Sequence, residues 1–225
     1  MGKVTISGLY QKDTDPELEW DETNGALLLS NGSFAIDKSS DYGIKIDTDA
    51  PDFGYRDITG EVRTRGIGAT DPAWTQVGAT PFYAYAFAVN DVCWIDFHIP
   101  HDFTIGTDIY IHTHWFPSGT DVNSVKWQYE YAYAKGHNQA AFNFASATTV
   151  TAEQSPPGTA YQHMVTETVA QTVTGMEPDG ILAVKMTRIT NGATDNADTI
   201  FVQTLDVHYQ STNLATKNRS PSFYT

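Results

Sequence analysis

The chain has 225 residues, 40% hydrophobic and 12% aromatic, with 13 basic against 27 acidic side chains and a formal net charge of −14. Five Trp, twelve Tyr and eleven Phe supply enough apolar area for a core, so this is not a disordered composition. The acidic balance, without any Lys/Arg cluster, excludes a nucleic-acid partner and disfavours an anionic membrane, and a lone cysteine, Cys93, excludes an internal disulfide.

Taken in order, residues 1–75 are acidic and turn-rich, with short apolar pieces broken by Pro51, Gly54 and Gly60. They read as an N-terminal arm or small β element. Within them ALLLSNGSFAID (26–37) reads as a hairpin, because Asn31-Gly32 supplies two residues that tolerate positive φ. No basic stretch followed by an apolar one opens the chain, and no run of 18 apolar residues is present.

From about residue 80 the pattern is period two, the signature of strands with two distinct faces. Strands are expected at 81–89, 92–99, 107–116, 125–134, 140–150, 161–174 and, as two long strands joined by a polar loop, within 181–209. In 125–134, Val125, Trp127, Tyr129, Tyr131 and Tyr133 share one face, which is expected to be a core or subunit-contact face. In the last strand Phe201, Gln203, Leu205, Val207 and Tyr209 are expected to share a face. Strands bounded by Gly, Pro, Asn or Asp give the fold class: all-β, an antiparallel β-sandwich or jelly roll over residues 76–212, with an irregular arm before it and a tail over 213–225. Phe223 and Tyr224 near the end of that tail are candidate docking anchors.

Seven histidines occur, and four lie within residues 98–114. On the strand around TDIYIHTHWF, Tyr110, His112, His114 and Phe116 point one way and Ile109, Ile111, Thr113 and Trp115 the other. His112 and His114 therefore stand about 7 Å apart on one face, a spacing that can serve one transition-metal ion. Gly106 with His112 and His114 resembles the opening of the first cupin metal motif, but no Glu follows before the next turn, and His163 comes two positions late for the second motif. His98, His112 and His114 are the metal candidates, with strand architecture the preferred reading; no metal, cofactor or catalytic residue is assigned. Cys93 reads as a small buried residue, and Asp195, Asn196 and Asp198 form a candidate calcium loop.

The series YGIKIDTDAPDFGYRDITGEV, HIPHDFTIGTDIYIHTHW and VKWQYEYAYAKGHNQAAF resembles virion structural proteins of tailed bacteriophages over roughly residues 42–145. The resemblance implies a non-enzymatic assembly part made in the bacterial cytoplasm and located in the virion. It further implies a capsid decoration or cement protein, homotrimeric, partnered with the major capsid protein or other virion proteins, with Trp127, Tyr129, Tyr131, Phe223 and Tyr224 as contact residues. Two alternatives stay open. One is a tail-associated receptor or carbohydrate binder using Trp115 and the Tyr129–Tyr133 row; the other is a cupin-like metal-dependent enzyme.

Overall fold

The computed structural model describes residues 18–21, 26–29, 34–37, 45–46, 54–66, 70–212, 215–216 and 218–223. Its strands, in chain order, are β1 (Leu18–Asp21), β2 (Ala26–Leu29), β3 (Phe34–Asp37), β4 (Lys45–Ile46), β5 (Tyr55–Gly60), β6 (Ala73–Gln76) and β7 (Tyr83–Phe87). There follow β8 (Val92–His98), β9 (Ile109–Pro117), β10 (Val125–Ala134), β11 (Thr148–Gln154), β12 (Met164–Glu167), β13 (Ile181–Ile189) and β14 (Ile200–Gln210). Helix among the described residues is limited to two three-residue 3-10 turns, Phe144–Ser146 and Gly192–Thr194.

Contacts divide the chain into two units: Tyr55–Ser211, and Met1–Gly54 together with Thr212–Thr225. In the second of these, β1 to β4 form an antiparallel sheet in sequence order. The expected hairpin is present: β2 pairs β3 with Leu29 opposite Phe34, while Asn31 and Gly32 lie outside the described residues.

The Tyr55–Ser211 unit is an antiparallel sandwich of the expected jelly-roll class. One sheet runs β11-β10-β13-β8 and the other β12-β9-β14-β7-β6, with β5 also paired to β14. Alternation drives this arrangement, because each strand sends every second side chain inward. In β13, Leu182, Val184 and Met186 are buried in the apolar core between the sheets. In β9, Ile109, Ile111, Thr113 and Trp115, which the sequence pattern puts on one face, are fully buried on the core side. Thr113 and Tyr129 join hydroxyls across the core at 2.6 Å, so the sheets are tied through a polar contact as well as by packing.

Several expectations change. The body begins at β5 rather than near residue 76, because YRDITG, which carries little alternation, pairs with the half of β14 that β7 does not reach. The close approach at Gly60 suits glycine: a Cβ there would lie 2.1 Å from Ile95 Cγ2 of the facing sheet. The expected strand 140–150 is displaced to β11, Thr148–Gln154, and the segment before it holds an exposed Phe144 stacked on Phe142 with centroids 4.9 Å apart. The expected strand 161–174 is regular only over β12, then continues beside β9 through Thr168 and Gln171, which bond the backbone of Ile111 and Ile109.

The aromatic row of β10 also changes its role. Trp127, Tyr129 and Tyr131 are buried within the single chain, at 0%, 0% and 6% exposure, so they fill the core and leave nothing for a partner to contact. The same burial removes Trp115, whose indole N–H donates to Thr166 Oγ1 at 2.7 Å, from any glycan-stacking role. Phe223 is also buried, at 3%, and so is not an exposed anchor; Tyr224 lies outside the described residues. In β14 the face changes midway. Val202 sits opposite Trp115 and Thr204 opposite His114, leaving Gln203 as an extra residue. This bulge shifts the phase by one, so Ile200 and Val202 face the core before it and Leu205, Val207 and Tyr209 after it. Phe201 instead packs with Ala84 and Phe116 in a separate cluster.

Candidate functional site

The bulge has a chemical consequence. By resetting the phase of β14, it turns Asp206 and His208 away from the core, onto the face where β9 carries His112 and His114. Register then sets the neighbours: Asp206 opposite His112, His208 opposite Tyr110 and Asp57, and Glu167 of β12 opposite His112.

The side chains connect into a ladder. Glu167 Oε2 lies 2.6 Å from His112 Nε2, and His112 Nδ1 lies 3.2 Å from Asp206 Oδ1. On the other side of the carboxylate, Asp206 Oδ2 accepts from His114 Nε2 at 2.8 Å. His114 Nδ1 continues to His163 Nε2 at 3.0 Å, with the two rings stacked. His208 approaches His112 edge to face, centroids 4.8 Å apart, and its Nε2 is 3.6 Å from Asp57 Oδ1.

Asp206 is the centre of this group and its most buried acid, at 6% exposure. Its Oδ1 faces His112 Nδ1 as an ion-pair neighbour without reaching hydrogen-bond geometry. Burial opposes its charge, but the imidazoles of His112 and His114 outweigh that and hold its carboxyl below the ordinary value. For His112 burial likewise opposes the charged form, and Asp206 and Glu167 outweigh it, raising the imidazole above its ordinary value. Among the described residues, two sets of ligand atoms come close enough to share one cation: His112, His114 and Asp206, and Asp57, His112 and His208.

A second histidine group lies elsewhere. Asp179 receives His137 Nε2 at 2.8 Å, His101 Nε2 at 3.1 Å and His98 Nε2 at 3.3 Å. The contact with His137, against the opposing effect of burial and with help from His101 and His98, holds Asp179 below its ordinary value. All seven histidines thus fall into two carboxylate-centred groups, and the expected trio is split. His112 and His114 share a site, whereas His98 points from β8 of the other sheet toward Asp179. Sequence reading missed Asp206, Glu167 and Asp179. The available signal for the first was Asp206 and His208 at period two in LDVHY, matching His112 and His114 in IHTHW; it becomes visible only once the two strands are paired.

The remaining candidates have other employment. Cys93 is fully buried and its thiol is pushed up by desolvation, which removes it as a nucleophile. In the proposed calcium loop, Asp195 accepts from Thr190 Oγ1 at 2.6 Å and from Asn191 N at 2.5 Å. Asp198 accepts from Asp121 N at 2.9 Å, and Asn196 Nδ2 donates to the carbonyls of Asp121 and Asn123. These oxygens and amides close turns against each other, and no cation cage is formed. Asp121, which follows the cupin-like string, is held by the backbone N–H groups of Ala197 and Asn123 and stands apart from the ladder.

No family model matches this chain, and no curated protein matches it. Among solved structures it is similar to the Eiger TNF from S. frugiperda, at 9% identity over 75% of this chain and 97% of that one, with a TM-score of 0.26.

Proposed function

We propose that this chain is a non-enzymatic structural protein of a tailed-phage virion, a decoration or cement protein that binds the head from outside and bridges capsid subunits. The observation that carries this reading is the aromatic surface of the β6–β7 hairpin. Trp74, Phe82 and Tyr83 are exposed at 61%, 72% and 50%, with Trp74 stacked on Tyr83 and edge-on to Tyr85. Large aromatic rings clustered in the open are costly in water and are the residues that protein interfaces bury at their centres. They sit where β6 ends its sheet, an edge that a partner strand can extend. This surface replaces the β10 row as the proposed contact face. The acidic chain, with no basic cluster, supports a protein partner over nucleic acid.

The cement mechanism is additive: a protein that spans a seam between capsid subunits must be detached before the seam opens, so its binding energy adds to head stability. The test is addition of the purified chain to heads of the encoding phage that lack it, followed by sedimentation and heating. Saturable co-sedimentation and a higher rupture temperature are expected, and Trp74→Ala with Phe82→Ala should lower occupancy while the far-UV CD spectrum stays unchanged. A folded protein that leaves heads unbound and their rupture temperature unmoved rejects the proposal.

A further inference from the structure

On the outer face of β9 and β14, His112, His114 and Asp206 gather around a point that favours positive charge, supplied by a proton on His112 or by a metal ion. Glu167 is a carboxylate and can only accept, so the nitrogen it meets, His112 Nε2, carries a proton. In the neutral ring, Nδ1 then presents a lone pair toward Asp206 Oδ1, 3.2 Å away. That oxygen is buried and does not reach hydrogen-bond geometry. In the charged ring that the two carboxylates favour, a proton sits on Nδ1 instead, and a metal ion can take its place beside a carboxylate that is more than nine-tenths buried. His114 Nε2 reaches the other oxygen of the same carboxylate at 2.8 Å. Each ring is also held from behind, His112 by Glu167 and His114 by His163. Such outer partners orient imidazole ligands and raise their basicity in metal sites.

We propose that His112 Nδ1, His114 Nε2 and the Asp206 carboxylate bind one divalent transition-metal ion of the zinc, cobalt or nickel class, which clamps β9 to β14. Two imidazoles and one carboxylate suit these borderline ions, whereas magnesium and calcium prefer oxygen throughout. The ligand atoms lie within 4.8 Å of one another, so small rotations of the rings bring them to one centre. The alternative set through Asp57 and His208 shares His112, and one ion cannot occupy both. Asp57 is half exposed, at 52%, whereas Asp206 is buried with an oxygen outside hydrogen-bond geometry, which favours the first set. Three protein ligands leave a position for water on the solvent side, where His114 is 22% exposed. This inference is independent of the proposed role in the virion.

The experiment uses untagged full-length protein stripped with a chelator and titrated with cobalt(II), read by its visible absorption, then with zinc as competitor. One cobalt per chain, displaced by zinc, is expected. His114→Gln should abolish saturable binding, and Glu167→Ala, which frees His112 from behind, should weaken it about 10- to 100-fold. Asp206→Asn should also abolish it; if that variant misfolds by CD, the partly exposed His114 carries the test. His208→Gln and, in the second histidine group, His137→Gln should bind as wild type. The proposal is overturned if stripped wild-type protein shows no saturable cobalt binding, if His114→Gln binds unchanged, or if His208→Gln or His137→Gln is the variant that loses the ion.

Discussion

Replacing Thr113 by valine removes one hydroxyl from the middle of the sandwich and tests whether β9 and β10 face each other as described. Thr113 Oγ1 donates to Met186 Sδ at 3.3 Å, so it accepts from the Tyr129 hydroxyl, which lies 2.6 Å away. Both residues are fully buried, and burial pushes the Tyr129 phenol up. Thr113→Val leaves that phenol O–H with no other partner among the described residues, a cost of about 1–3 kcal/mol. Tyr129→Phe is milder, about 1 kcal/mol, because Thr113 keeps its proton on the Met186 sulfur. If the effects were independent, the double variant would lose about 2–4 kcal/mol. With both hydroxyls gone no polar group is stranded, and the double variant should lose no more than about 1 kcal/mol. Urea unfolding followed by tryptophan fluorescence reads this directly, since Trp115 and Trp127 are buried in the same core; the midpoint should move while the slope stays constant. Additivity within about 0.5 kcal/mol would refute the cross-core contact. A change in oligomeric state with Tyr129→Phe would return the aromatic row to a subunit interface.

Two other outcomes follow from the structure. Asp179 has its folded pKa lowered from the ordinary 3.8 by His137, with His101 and His98 contributing. Its contribution to stability is therefore complete above 3.8 and lost as pH falls through the lowered folded value. Asp179→Asn should flatten the fall of melting temperature in that acid window, and an unchanged acid profile would contradict the three-histidine contact. A fragment of residues 55–211 should unfold cooperatively, whereas residues 76–211, lacking β5 with its pairing along Leu205–Gln210 and all but the last residue of β6, should melt at lower temperature; equal melting temperatures would return the boundary to residue 76.

Much of the architecture was legible in the chain itself. Alternation placed strands at β8, β9, β10 and β13 and, in β9 and β10, told which side chains share a face, because on a half-buried strand the side-chain period is two. In VKWQYEYAYA even the strand limits, Val125–Ala134, agree with the structure. The pattern could not say which body the inward face was packed against, so Trp127, Tyr129 and Tyr131 read equally as core or as contact surface; the second sheet decides it. Nor could it show the bulge at Gln203, since one unpaired residue is visible only against a partner strand. The histidines divide along the same line. That His112 and His114 share a face follows from their spacing, a local property of the backbone. That Asp206 and Glu167 meet His112, and that His98 turns instead to Asp179, depends on which strands pair and in what register. Those are contacts between residues far apart in sequence, selected by the burial of the whole core, and only the tertiary structure decides them.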